Sequence, residues 1–224
     1  MLGRLEFAAG GRGRGEVSNL YGLSVLCVRA DPEGWLGRRR LERAGRRLSR
    51  AGVEQTLLPR EFYQWELLTR LGLREVDTAP LLRAQASFLA LAGLRRREID
   101  PERAAVVLSG ARAQGEMYRC AVQLCPHVRR VVIAAPGAEY MAVRLREEFG
   151  IPILPADYPG ELELRFHPGQ GTGPHYMQLY GRSPYLDGGV LSAPELKEGE
   201  KEDIPLLSAL WQGGKLGGSG LKFT

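Results

Sequence analysis

Short apolar runs alternate with amphipathic stretches along most of the chain, and the spacing inside each stretch predicts its element. Residues 2–8 and 20–29 read as extended segments. Gly10-Gly11-Arg12-Gly13-Arg14-Gly15 lies between them and supplies the glycines of a mobile hairpin turn. After Leu23 to Val28, the turn Asp31-Pro32-Glu33-Gly34 opens a helix from about Trp35 to Ala51. Leu41, Ala44, Gly45 and Leu48 share one face of it, and Arg39, Arg40, Arg43, Arg46, Arg47 and Arg50 lie opposite. Gly52 stops the helix and Val53 to Leu58 is the next strand, a β-α-β unit of the length a right-handed parallel crossover needs. Helices then follow over Phe62 to Leu71 and Ala79 to Arg97, the latter with Leu82, Ala86, Leu89 and Gly93 in line to cover a sheet face.

The clearest stretch runs from Ala104 to Pro155. The β-rich runs Ala104 to Leu108, Val131 to Ala135 and Ile151 to Leu154 alternate with helical Glu116 to Leu124 and Ala138 to Phe149. Those runs are apolar throughout, as strands covered on both faces should be, and Gly150 gives the second helix its carboxyl-terminal stop. Beyond Pro155, Leu162, Leu164 and Phe166 alternate with Glu161, Glu163 and Arg165, which predicts a strand with one wet face, antiparallel at an edge or in a small extension. His167 to Pro174 reads as a loop and Tyr176 to Tyr180 as the hairpin partner. Asp203 can cap a helix from Ile204 to Gln212, with Gly213 at its end. Its large apolar residues Leu206, Leu207, Leu210 and Trp211 predict that it docks.

The fold class expected is therefore α/β: a three-layer Rossmann-like core over residues 20–155 with five mainly parallel strands. A strand and Gly/Arg loop precede it over 1–19, and a small β-rich extension with a short helix and flexible tail follows over 156–224.

Composition narrows the class. At 224 residues, 44% hydrophobic and 25% charged, the chain has ordinary globular values. No apolar run reaches the roughly 18 residues of a membrane helix, and the amino terminus lacks the apolar stretch of a signal peptide, so a cytoplasmic location is expected. Cys27, Cys120 and Cys125 lack framework spacing and read as free thiols. The net charge of +5 hides an asymmetry, since residues 1–130 carry 23 Arg against 14 acids and residues 131–224 carry 8 bases against 12 acids. Of all the bases 27 are Arg, a bias that a GC-rich coding sequence produces by itself.

The loop after the Ala104 to Leu108 strand reads Ser109-Gly110-Ala111-Arg112-Ala113-Gln114-Gly115 and enters a helix. Its Gly110, Arg112, Gly115 spacing resembles Rossmann dinucleotide-binding domains over residues 104–155, with the middle glycine of G-x-G-x-x-G replaced. The resemblance implies an anion held by Ser109, Gly110, Arg112 and Gly115 at the helix amino terminus. It stops there, because Ala134-Ala135-Pro136 stands where the ribose-binding acid should close the next strand. No cofactor is expected, and neither NAD nor NADP should bind.

Other chemistry loses its support in turn. Tyr140 is followed by Arg144 where short-chain dehydrogenases need lysine, Gly214-Lys215 lacks the rest of a P-loop, and Ser109 lacks the glycine frame of a nucleophile elbow. Cys120 and Cys125 are five residues apart on a helix, so their thiols point about 140° apart, and with His127 they make no metal site. His167 and His175 bracket a loop without an acidic pair and read as ordinary loop histidines. Arg39, Arg43, Arg46, Arg47 and Arg50 read first as a solvated helix face; as a binding face they suit an acidic protein surface or self-association. The lack of aromatics among residues 38–50 weighs against single-stranded nucleic acid. Together these readings favour a non-catalytic Rossmann-like binding or scaffold protein. An enzyme acting on a small molecule or nucleotide at an unfamiliar site is the alternative, and weak, sequence-blind nucleic-acid binding comes after it. No catalytic residue is assignable, although Ser109, Arg112, Gln114 and Glu139 can gather at strand ends.

Overall fold

The computed structural model describes residues 1–224 except 60, 61, 63, 151, 153, 169–172 and 182, together with the side chains of 12–14. It is a mixed α/β protein with seven α-helices among the described residues, and its strands form two mainly parallel sheets and one small antiparallel pair. One five-stranded core was expected over residues 20–155. The strands instead fall in two compact units, Met1–Val76 with Pro205–Gly217 and Asp77–Ile204 with Gly218–Thr224.

In the first unit β1 (Leu2–Phe7) lies inside the sheet, between β3 (Leu23–Ala30) and β4 (Gln55–Leu57) and parallel to both. β5 (Arg74–Glu75) extends the sheet beyond β4. The stretch read as a glycine turn begins the edge strand β2 (Arg12–Leu20), which pairs antiparallel with β3. The hairpin turn lies further on, at Tyr21 and Gly22, both with positive φ (49° and 86°), as a two-residue hairpin loop demands. Asn19 Oδ1 accepts from Gly22 N–H at 2.7 Å. Glu16, Val17, Ser18 and Asn19 of β2 are all exposed, so both its faces meet water, and its outer edge is unpaired among the described residues; such a strand needs no apolar run.

The amphipathic pattern is realised in α1 (Gly37–Arg50), which buries Leu41, Ala44, Gly45 and Leu48. The helix carries the chain from β3 over β1 to β4. A Cβ on Gly45 would stand 2.7 Å from Leu71 and 2.9 Å from Leu68, so glycine there lets α1 approach α2 (Trp65–Thr69). Leu5, Leu26, Val28, Leu41, Leu48, Trp65 and Leu68 form the core. Helix α7 (Ile204–Gln212) has the predicted bounds and buries Leu206, Leu207 and Leu210. Just after it, a Cβ on Gly213 would meet Leu23 at 2.5 Å, and Lys215 lies against Gly22.

The second unit opens with α3 (Ala79–Ala84) and α4 (Ala86–Arg96), one predicted helix broken at Gln85. Then come β6 (Ala105–Ser109), α5 (Gly115–Leu124), β7 (Arg130–Ala134) and α6 (Glu139–Phe149), as read from the sequence. The strand expected over Ile151 to Leu154 lies partly outside the described residues. β8 (Leu162–Arg165) and β9 (Tyr176–Gln178) complete an all-parallel sheet in the order β7-β6-β8-β9. Residues 162–165 are thus an interior parallel strand, not an antiparallel edge, and 176–178 is a parallel neighbour, not a hairpin partner. The alternation misled because Glu163 is buried, and hydrogen bonds satisfy its carboxylate where water was expected. β10 (Leu191–Ser192) and β11 (Lys222–Phe223) form a separate antiparallel pair.

Candidate functional site

From β6 the chain turns through α5 to β7 on one side, while β8 lies on the other side of β6. The carboxyl ends of β6 and β8 therefore flank a topological switch point, where connections leave in opposite directions and open a crevice. The loop 110–114 leaves one of these ends, and Phe166 and His167 leave the other. Phe166 N–H donates to Ser109 carbonyl at 2.9 Å and holds the two ends together.

Ser109 faces inward. Its hydroxyl donates to Glu163 Oε1 at 2.5 Å, and Glu163 Oε2 accepts from Arg165 Nη2 at 3.1 Å and from Gly173 N–H at 3.0 Å. The Arg165 guanidinium in turn lies 3.6 Å from the Tyr176 ring centre. Gly110 carries His167, since a Cβ there would stand 3.3 Å from the imidazole Cδ2. Arg112 and Gly115 face the open side, and no atom lies within 4 Å of a Cβ built on Gly115. Of the four residues picked from the sequence, Gly110, Arg112 and Gly115 frame the crevice mouth and Ser109 belongs to the interior network.

Two residues that sequence reasoning passed over complete the mouth. His167 Nδ1 lies 3.1 Å from Arg83 Nη2, and His167 Nε2 lies 2.8 Å from the Gln114 amide. Arg83, on α3, also bonds Phe166 carbonyl at 2.8 Å and Glu116 at 3.1 Å. His167 was legible as the second residue after a strand's carboxyl end. Arg83 had no sequence signal, because its helix reaches the site only through tertiary packing. His175 is separate from this group and pairs with Asp187 at 3.6 Å.

The cluster has more donors than acceptors. Arg112 Nε and Nη2 reach the Gln114 amide at 2.8 and 3.2 Å once its carbonyl is turned toward them, as a guanidinium that can only donate requires. The Gln114 NH2 then faces His167 Nε2, while Arg83 Nη2 faces Nδ1. Both ring nitrogens meet donors, and a neutral imidazole has one lone pair to offer. Arg83 Nε is buried without a partner among the described residues. Burial, followed by the charge of Arg83, holds the His167 pKa below its ordinary 6.5; Arg112 adds to the depression and Glu116 opposes it. α5 begins at Gly115, directly after Gln114, and has no side-chain cap, so its first N–H groups lack that partner.

The remaining candidates do not converge. Burial pushes the Cys120 thiol up to about 12 and the Cys125 thiol up to about 11, which makes both poor nucleophiles and ligands at neutral pH. Among the described residues no group of three His, Cys, Asp or Glu side chains is placed to hold a metal, and no helix is long and apolar enough to cross a membrane. Tyr140 is exposed, and Arg144 pairs with Glu148. Arg39, Arg43, Arg46, Arg47 and Arg50 lie exposed on α1 in the first unit.

No protein-family model matches this chain, and no curated protein matches it. Among solved structures it is similar to L-tryptophan dehydrogenase from Nostoc punctiforme, at 14% identity and a TM-score of 0.33. The match covers 64% of this chain and spans 44% of the dehydrogenase.

Proposed function

We propose that this chain is a non-catalytic Rossmann-like binding protein, a three-layer α/β framework that holds a small anion at the carboxyl ends of β6 and β8. The donor surplus around His167 carries the reading. Arg83, Arg112, Gln114 and the amino end of α5 all present N–H groups, and among the described residues Glu116 is the carboxylate that meets one of them. A sulfate, phosphate or carboxylate supplies the acceptors such a group lacks and accommodates the imidazolium form of His167. Full dinucleotide binding is disfavoured for two reasons. Arg112 brings a Cβ to the point where backbone must approach pyrophosphate, and no acid follows Ala134 to accept from a ribose.

Calorimetric titration tests the proposal. Sulfate keeps its charge across the relevant range, so its affinity should rise as pH falls through the His167 transition, with net proton uptake on binding. Arg112→Gln and His167→Gln should each weaken it about tenfold, the loss of one charge-assisted contact. Sulfate and phosphate that fail to bind the folded protein at either pH would sink the anion reading. Low-micromolar NAD or NADP binding, abolished in Gly110→Val, would instead promote a nucleotide-dependent enzyme.

A further inference from the structure

The arginines of α1 divide into two groups once their partners are identified. Arg38 pairs with Glu42 at 3.8 Å, Arg40 pairs with Asp31 at 2.8 Å, and Arg47 is also engaged. Arg39, Arg43, Arg46 and Arg50 have no carboxylate partner among the described residues. At about 100° per residue these four fall within about 60° of arc, on the crest opposite buried Leu41, Ala44, Gly45 and Leu48. The partnered arginines sit on the flanks of that crest. The helix therefore neutralises its sides and leaves a single row bare, although like charges three and four residues apart repel one another.

Trp35 stands at the amino end of this row, four residues before Arg39, and 89% of its surface is exposed. α1 itself carries no aromatic residue; this one lies just outside it, in the turn that leads into the helix. Of the three tryptophans, Trp65 is buried in the core and Trp211 is half-buried. An indole left in water beside four unpaired guanidinium groups joins the two features that a polyanion with flat rings would use.

We infer that the exposed face from Trp35 to Arg50 binds single-stranded nucleic acid, with phosphates along Arg39, Arg43, Arg46 and Arg50 and a base stacked on Trp35. The row advances about 4.5 to 6 Å per step, in single file over about 16 Å, which a flexible strand can follow with successive phosphates. A duplex keeps its bases stacked on each other and offers Trp35 no free ring face. A single strand repeats one charge and one flat ring at every nucleotide, a regularity that an acidic protein surface need not have. The crest presents no Asn, Gln or carboxylate to read base edges, so binding is indifferent to sequence. This inference uses residues of the first unit alone and stands apart from the anion site near His167.

Fluorescence anisotropy of labelled 20-nucleotide oligo-dT and oligo-U, titrated with the full chain between about 50 and 200 mM salt, tests it. Four neutralised phosphates predict a log–log salt slope near −3, at about 0.7 per phosphate for a single strand. Replacing the four arginines together by Gln should cut affinity at least 100-fold at the low-salt end and flatten the slope, whereas the four Lys replacements should keep it. Trp35→Ala should weaken binding about 5- to 100-fold and leave the slope unchanged, the mark of stacking rather than charge. Melting temperatures of the variants should not fall below the parent's, because all five side chains are at the surface and removing like charges relieves repulsion. Four outcomes would each overturn the inference: no binding at low salt, equal affinity for a 20-bp duplex, equal affinity for poly-glutamate with no dependence on Trp35, or preferential binding to phosphatidylserine vesicles.

Discussion

Two groups of arginines, one in each unit, are used in opposite ways. In the four-stranded unit Arg83, Arg96, Arg97 and Arg165 reach inward to carboxylates and backbone carbonyls: Arg83 to Glu116 and Phe166, Arg97 to Glu161, Arg96 to Asp187, and Arg165 to Glu163. In the five-stranded unit Arg39, Arg43, Arg46 and Arg50 point outward with no carboxylate partner among the described residues. The amino-acid count is blind to this difference. A GC-rich coding sequence is enough to make arginine abundant; only the position of each partner distinguishes an arginine that holds the fold from one left to meet something else.

Four measurements sharpen that contrast, from the largest expected effect to the smallest. Glu163→Ala leaves the Arg165 guanidinium, 18% exposed, without its carboxylate, and should cost about 3–5 kcal/mol in urea denaturation. A loss under about 1 kcal/mol would mean that the buried network is not what secures β8. Leu207→Ala, at a fully buried position on α7, should cost about 2–5 kcal/mol. If it melts with the parent, the carboxyl-terminal helix is not part of the first unit's core.

The third measurement concerns His167. Its folded pKa lies below the ordinary 6.5, so between the two values the unfolded chain binds a proton that the folded chain does not. Stability from this group is complete above pH 6.5, declines as pH falls toward the depressed folded value, and levels off below it. In the absence of added anions, the fall in melting temperature across this window should shrink in His167→Gln, and an unchanged profile would place the titration elsewhere. The smallest effect belongs to the outward arginines, where Arg43→Gln should shift stability by no more than about 0.5 kcal/mol, in the stabilising direction if like-charge repulsion dominates. A larger loss would reveal a structural partner and remove Arg43 from the bare row.

Much of this is legible in the sequence. The β6-α5-β7-α6 run and α7 were read from periodicity and capping almost to the residue, because each is a regular element with an apolar face and a glycine or capping residue near its ends. Two strands were misread for the same physical reason, in opposite directions. β2 is polar and exposed, so it looked like a loop; β8 carries Glu163 inward, so it looked half-wet. Hydrophobicity reports burial only where buried groups are apolar, and Glu163 is buried because Ser109, Arg165 and the Gly173 N–H meet it. For the site, Gly110, Arg112 and Gly115 were visible as a damaged fingerprint, whereas Arg83 comes from a helix about 30 residues upstream whose placement no local pattern encodes. The parallel placement of β1 between β3 and β4 was likewise hidden, since pairing order is a long-range property.

The membership of α7 in the first unit gives the molecule a timetable. Residues 1–76 leave the ribosome long before Pro205–Gly217, with about 130 residues translated in between. At about 5–20 residues per second, that is a delay of roughly 6 to 26 seconds. Throughout it, the end of the β2–β3 hairpin at Leu23 lacks the segment that later covers it. Until a segment translated about 130 residues later brings Gly213 against it, the nascent chain leaves Leu23, half-buried in the folded unit, open to water.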